Sequence, residues 1–567
     1  MVINKIHTSP NQKESSSLTN QLLFTRRPDV TSEMRLNLSI AGLGRQYRDC
    51  TISELKSIYK VSHTFIYKQS DLLRQHCGAI FGMKRFTPAG TLENLLSSIR
   101  FFVECKLETK GALHGLSNFA KSQGIPFNST NFISEVLEIA GTLVADNYKS
   151  EAPVLLTFLC DEVYSGGQAI LVTIEAQSMM VLDIRLVEGS LTSKDWENSF
   201  DRMTNNQVHC KAIVKDQGKQ MQTATAVLPE QTTIIADTFH AIAHRLGVFR
   251  MRFVKHLITC EQKEADRAIR FQNTRRFPTA LKIEKEWEAA KYKTLQAQDQ
   301  LVWFDEYYFK MIQQLRPFTS QGIPRDKQDA ERSIKESIEA LSLLPSDKMS
   351  KHLEHIEKLL ENGQLLAYMD QVPNLHQELQ NDLDQNTSWL WMLYWQWNKK
   401  SYQTHSPKVQ QRAKQEALAA EELLKEYYQA QGSNQFESLR TQVFKTLDQI
   451  VQASSLVETF NSILKPFINS ARGQVSQELL DLVKFYHNHR VFKRGKRKNQ
   501  APIEILTGIP LEKSCIDLLM DKIKDALIEA NTLSLKELHQ LLCKKTTKEE
   551  VCNLEKQALH KVAQVAA

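Results

Sequence analysis

The spacing of apolar positions changes twice along this chain. It is helical up to about residue 150, alternates as in strands from about 152 to 240, and is helical again almost to the end. Ahead of the first helices, residues 1–30 are rich in Ser, Asn, Gln and Thr and are expected to form a poorly ordered lead-in. Three short helices are predicted between 34 and 74. The second, 51–59, opens on a capping Thr51, Lys60-Val-Ser62 makes a turn, and the third runs from a fresh cap at Ser62 to Arg74. A similar pair is predicted at 111–122 and 130–144, around Gln123-Gly-Ile-Pro-Phe-Asn-Ser129.

Strand spacing then predicts strands over 154–159, 169–175 and 179–187, with Tyr164-Ser-Gly-Gly-Gln168 as a hairpin turn. A helix over 192–203, a strand over 211–215, a helix over 218–227 and a strand over 232–236 complete the order β-β-β-α-β-α-β. Beyond His240 and through about Ile450, helix formers dominate, and 334–344, 353–369 and 409–431 carry amphipathic spacing. Another capped helix is predicted from Ser454 to Phe467, and the stretch from 511 to 567 reads as a charged helical tail.

Composition narrows the class only modestly. At 567 residues the chain can bury several cores. A hydrophobic share of 42%, a charged share of 24% and a net charge of +7 are compatible with a polyanionic partner without requiring one. Local clustering says more, as in Lys493-Arg-Gly-Lys-Arg-Lys498. The nine cysteines form no C-x-x-C pair, so neither a disulfide framework nor a zinc finger is suggested. No apolar run is long enough to span a membrane, and Met1–Ser17 lacks an apolar signal core. A reduced, cytoplasmic setting with no membrane partner is expected.

Candidate chemistry gathers where strands run into aspartates. Val154-Leu-Leu-Thr-Phe-Leu-Cys-Asp161 and Cys210-Lys-Ala-Ile-Val-Lys-Asp216 are apolar runs closed by a carboxylate. The strand and helix order is the layout of an RNase H-like domain, in which the first and fourth strands lie side by side. Asp161 and Asp216 would then share a pair of Mg²⁺ ions about 3.5–4 Å apart, with Mn²⁺ as a substitute. A third carboxylate is expected from a later helix, and Glu458 is the choice, with Asn461 and Lys465 on the same face. The segment from 51 to 74 has helix-turn-helix spacing. His63, Thr64, Tyr67 and Lys68 stand near the start of its second helix, where base and phosphate contacts are made.

At these residues the chain resembles DDE transposases, specifically those whose RNase H-like domain is interrupted by a helical insertion. In such families a (Cys/Asp)-x-x-His motif follows the fifth strand, and Asp237-Thr-Phe-His240 matches it. The segment after the glutamate also looks familiar. It runs Glu458-Thr-Phe-Asn-Ser-Ile, then Phe485-Tyr-His-Asn-His-Arg490, then a basic stretch and Ala501-Pro-Ile-Glu-Ile-Leu506. The resemblance implies a multidomain α+β protein. Its parts would be the lead-in 1–30, a helical DNA-binding region 31–150, the RNase H-like core in two pieces (151–245 and 451–510), an all-α insertion 246–450, and the helical tail 511–567.

The resemblance further implies metal-dependent cleavage and joining of double-stranded DNA by Asp161, Asp216 and Glu458, with Asp237, His240 and Asn461 in support. A homodimer or larger assembly on DNA, associated with the nucleoid, is expected. Lys465, Arg472, Arg490, Lys493, Arg494, Lys496, Arg497 and Lys498 are candidate phosphate contacts. Trp389, Trp391, Trp395 and Trp397 either stack on a flipped base or pack in a core. Two alternatives stay open: an RNase H-like nuclease that never joins ends, and a non-catalytic sequence-specific DNA-binding protein.

Overall fold

The computed structural model describes residues 29–43, 51–80, 92–216, 218–403, 406–532 and 534–542. Nearly all of the expected lead-in (1–28) and the end of the expected tail (543–567) lie outside the described residues. The chain divides by its contacts into two units, residues 1–95 with 118–128 and residues 96–117 with 129–567.

In the first unit three helices surround a small core. They are α1 (Ser32–Leu43), α2 (Ile52–Tyr59) and α3 (His63–Ile80), packed through Leu38, Leu55, Val61 and Ile66. Thr51 and Glu54 cap the start of α2 reciprocally. Lys60 ends it in the left-handed conformation (φ +49°), returning its N–H to Lys56. The chain therefore reverses within three residues, and His63, Thr64 and Lys68 are left exposed on α3, with Tyr67 half-buried.

Helices α4 (Leu92–Thr109) and α5 (Leu113–Gln123) cross the boundary in sequence, and α6 (Thr130–Leu143) lies wholly in the second unit. The helices expected at 111–122 and 130–144 are thus present as α5 and α6, and Ile133, Val136, Leu137, Ile139 and Ala140 of α6 are buried.

One sheet forms the centre of the second unit. Strands β1 (Val154–Ser165), β2 (Gln168–Glu175), β3 (Val181–Leu186), β4 (Val208–Lys215) and β5 (Thr233–Ala236) lie in the order β3-β2-β1-β4-β5. The hairpin pairs β1-β2 and β2-β3 are antiparallel, and β1-β4 and β4-β5 are parallel. Gly166 and Gly167, at φ +56° and +88°, make the two-residue turn that closes Ser165 on Gln168.

β1 is longer than the predicted 154–159. It keeps pairing with β2 after its ladder with β4 ends at Leu159–Val214, so Asp161 sits within a strand, opposite Val172. Between the strands run α7 (Ser193–Asn205) and α8 (Lys219–Thr225). The even positions of β1 (Leu156, Phe158, Cys160) meet Trp196, Phe200 and Met203 of α7 and Met221 of α8. Because side chains alternate across a strand, odd positions such as Asp161 face the other side.

After β5 a π-turn, Phe239–His244, runs without a break into α9 (Arg245–Asn273) and an all-helical stretch. α9 and α10 (Phe277–Gln314) form a long hairpin, held near its base by a two-pronged Arg250–Asp305 ion pair at 2.7 and 2.8 Å. Then follow α11 (Lys327–Ser342), α12 (Asp347–Glu361), α13 (Val372–Gln380), α14 (Ser388–Gln403), α15 (Pro407–Ala430) and α16 (Phe436–Leu447). Trp391 and Trp395 of α14 are fully buried, Trp391 stacking on Phe436, so these two indoles are core. Trp389 is 46% exposed.

The chain then returns to the sheet. α17 (Ser455–Ser470) packs on β1, and α18 (Gln477–His489) packs on α6 and along β3. A Cβ at Gly141 of α6 would stand 2.1 Å from the Glu478 carbonyl oxygen, so glycine permits this close approach. β3 is an edge strand, and α18 satisfies its free backbone groups. Asn488 accepts from the Val181 amide (2.8 Å) and donates to its carbonyl (2.9 Å), Gln477 does the same across Leu186 and Ile184, and His487 bonds the Met179 carbonyl. α19 (Pro502–Thr507) and α20 (Cys515–Glu529) follow, α20 packing on α6 and α18. Among the described residues no helix is long and apolar enough to cross a membrane.

Candidate active site

Two residues past the last β1–β4 pair stand Asp161 on one strand and Asp216 on the other. Parallel register thus brings both expected aspartates to the same end of neighbouring central strands. Asp161 Oδ1 accepts from the Glu162 amide at 2.9 Å, and Asp216 Oδ1 accepts from the Gly218 amide at 2.8 Å. Burial, with a smaller contribution from the charge of Asp216, pushes the Asp161 carboxyl up to about 6, although the Glu162 amide favours the ionised form.

Glu162, next along β1, faces the α7 side. Trp196 Nε1 donates to its Oε1 at 3.1 Å, and burial followed by the charge of Asp216 pushes this carboxyl up to about 7. A Cβ on Gly218 would lie 3.1 Å from Asp216 Oδ1 and 3.8 Å from Glu162 Oε1, so both carboxylates border that glycine. Lys215, buried beneath them, donates to Thr225 Oγ1.

The other wall comes from segments far away in sequence. Asp237, 2% exposed, bridges the two ends of the helical insertion. Its Oδ1 accepts from the amides of Phe239 (2.8 Å) and His240 (3.1 Å), capping the π-turn, and its Oδ2 accepts from the amide and hydroxyl of Ser454 at the start of α17. Thr238 adds two bonds to the Gln452 carbonyl, from its amide (3.1 Å) and its hydroxyl (2.9 Å). With both ends clasped, the long insertion leaves the relation of the π-turn to α17 unchanged.

One turn into α17, Glu458 Oε1 meets His240 Nε2 at 3.1 Å, both side chains part-exposed (47% and 37%). A carboxylate only accepts, so that imidazole nitrogen donates. One turn further, Asn461 Nδ2 donates to Asp161 Oδ2 at 2.7 Å across 300 residues. That bond fixes the amide's orientation and leaves Asn461 Oδ1 buried without a partner. An oxygen acceptor stripped of donors beside acidic groups is costly unless a cation or donor meets it.

Asp161, Asp216, Asp237, His240, Glu458 and Asn461 are therefore brought to one end of the sheet. Among the described residues no three His, Cys, Asp or Glu side chains already converge as a metal cage. Glu458 is turned to His240, and the group nearest Asp161 on α17 is an amide.

The expected DNA contacts scatter more. The Arg497 guanidinium is tucked against the β2–β3 turn, where it donates to the carbonyls of Gln177 (2.7 Å) and Ala176 (3.2 Å). Lys496 is paired with Asp448 at 2.8 Å, and Arg490 lies over the Tyr486 ring at 5.1 Å. Lys465, Arg472, Lys493, Arg494 and Lys498 are exposed. His63, Thr64, Tyr67 and Lys68 belong to the first unit.

Sequence reasoning passed over His244, Arg245, His352 and His355, which lie at or beside this site. Glu162, the carboxylate that competes with Asp161 in the sequence, faces the opposite side of the strand. For the two histidines of α12 there was no signal, since nothing in a helix says which neighbour its face will meet. No family model matches the chain, and no curated protein emerges as a relative.

Proposed function

We propose that the second unit is an RNase H-like catalytic domain of the DDE transposase type, acting on double-stranded DNA by divalent-metal-dependent cleavage and joining. The observation that carries this reading is the Asn461–Asp161 bond. It brings the helix of Glu458 onto the strand of Asp161, one strand away from Asp216. Support also comes from the sheet order β3-β2-β1-β4-β5 with its antiparallel hairpins and parallel second half. The insertion clasped at both ends by Asp237 and Thr238 fits the same reading.

The donor set suits Mg²⁺. Carboxylate oxygens and the partnerless Asn461 Oδ1 are hard ligands, and the carboxyls of Asp161 and Glu162 are raised chiefly by burial and, less, by the charge of Asp216. Asp161, Asp216 and Glu458 are the residues that would hold the ions. When bound, two such ions lower the charge barrier at phosphorus and activate the attacking oxygen. Asn461 orients Asp161 through Nδ2, and His240 orients Glu458. Asp237 sets His240 and α17 relative to one another. The exposed helix start at His63, Thr64 and Lys68, together with Tyr67, would read the DNA ends, and a homodimer would bring two ends together.

The test is a Mg²⁺ or Mn²⁺ reaction of the full chain on DNA carrying the flanks of its own gene. Wild type is run beside Asp161→Asn, Asp216→Asn and Glu458→Gln, with cleavage and joining scored separately. The expected result is both activities in wild type and neither in the variants. Binding without metal-dependent cleavage would overturn the reading, and cleavage without joining would reduce it to a nuclease.

A further inference from the structure

Beside Asp216 opens a cavity of about 300 Å³ with three different walls. Asp216 contributes the sheet side, His240, His244 and Arg245 the π-turn and the first residue of α9, and His352 and His355 the helix α12. His240 and His352 spend a ring N–H on Glu458 and on the Ala241 carbonyl, which leaves His244, His355 and the Arg245 guanidinium as donors facing a single carboxylate, a set that suits an anion. His352 is held in place, because its Nε2 meets the Ala241 carbonyl at 2.9 Å and must donate there. Burial, with Arg245 as a smaller contribution, lowers both α12 imidazoles, His352 to about 4. His352 therefore stands neutral, and Arg245, which is exposed, supplies cationic charge to the cavity.

We infer that this cavity seats a phosphate of the DNA strand flanking the one cleaved, with Arg245 as its ion-pair partner and His244 and His355 as hydrogen-bond partners. The inference rests on the proposed reading of the adjacent carboxylates. Asp216 lies in the same cavity wall, so an anion seated here is next to the proposed point of reaction. Asp216 would repel that anion unless neutralised, and a divalent cation bound at its carboxylate would supply that neutralisation. The insertion then has a direct role, since its helix α12 supplies His352 and His355 to the seat.

The experiment is a charge-deletion scan on bound DNA. Duplexes carrying the gene's flank, each with one neutral methylphosphonate linkage, are titrated with the full chain in Ca²⁺, and cleavage in Mg²⁺ is followed in parallel. In wild type, one linkage next to the cleaved position should weaken binding about 10-fold when neutralised. Arg245→Ala should lose about as much on ordinary DNA and nothing further at that linkage, and Arg245→Lys should recover part of the loss. His355→Ala should lose less, at the same linkage. Folding of each variant is checked by its urea midpoint.

Unchanged binding by Arg245→Ala, or an undiminished response to every neutral linkage, overturns the seat. Absence of wild-type cleavage with the linkage pattern intact overturns the catalytic reading and leaves the seat standing.

Discussion

The sheet side and the helix side of this site are made in opposite ways. Asp161, Glu162 and Asp216 reach their places along two adjacent strands, and a register of backbone hydrogen bonds sets their spacing. His240, Glu458 and Asn461 hang from a π-turn and a helix whose relation depends on a few side-chain bonds spanning more than 200 residues. The sheet side is tied by backbone hydrogen bonds and carries electrostatic strain, with the Asp161 and Glu162 carboxyls pushed up by burial and, less, by the charge of Asp216. The helix side depends on Asp237 for its geometry. Function and stability should consequently separate on the first side and fall together on the second.

The largest effect is expected at Asp216. Asp216→Asn should lower metal-dependent cleavage by at least about 10³-fold, as removal of a carboxylate that would hold the charge-neutralising cation implies. Its urea midpoint should stay near that of wild type, because the amide still has an oxygen for the Gly218 N–H. A midpoint shift as large as that of a core substitution would break the proposed separation.

Asp237→Ala should fail on both counts. Four donors lose one buried acceptor, and a loss of about 2–4 kcal/mol in denaturant unfolding is expected. Cleavage should fall with it, since α17 loses its tie to the π-turn. Ser454→Ala, which removes one of the four bonds, should cost about 1 kcal/mol. Full activity in Asp237→Ala would show that the clasp is dispensable for the site.

Asp161→Asn should move the other way in metal-free protein. Removing a charge held against burial and the repulsion of Asp216 should raise unfolding stability by about 1–2 kcal/mol while cleavage is lost. Glu162→Gln should give a smaller gain of about 1 kcal/mol. Destabilisation in both would mean that these carboxylates are structural. The smallest effect concerns the basic loop. Arg494→Ala should leave stability unchanged and reduce the salt slope of DNA binding by about one, whereas Arg497→Ala should destabilise, because its guanidinium holds the β2–β3 turn.

Much of this was legible in the chain. Alternation of apolar residues marked all five strands, and the Gly166–Gly167 pair marked the hairpin that sets the first register. Caps at Thr51, Thr192 and Ser454 marked helix starts within a residue or two. What the sequence could not show was where polar groups would be buried. In Phe485-Tyr-His-Asn-His-Arg490, His487 bonds the Met179 carbonyl and Asn488 serves the backbone of edge strand β3. Arg497 reads as a phosphate contact and is spent on two carbonyls. Local pattern tells that such a side chain is polar and leaves its partner unnamed.

By itself, then, the sequence determined the elements, their order and the two strand-borne aspartates, because period and capping are local physics. Tertiary structure decided which face each carboxylate joined, that Asp237 would clasp both ends of the insertion, and that Asn461 would be the α17 group bonded to Asp161. It also decided that histidines of α12 would line a cavity beside Asp216. Each of these depends on contacts between residues distant along the chain, where closure of the fold sets proximity and no spacing in the sequence records it.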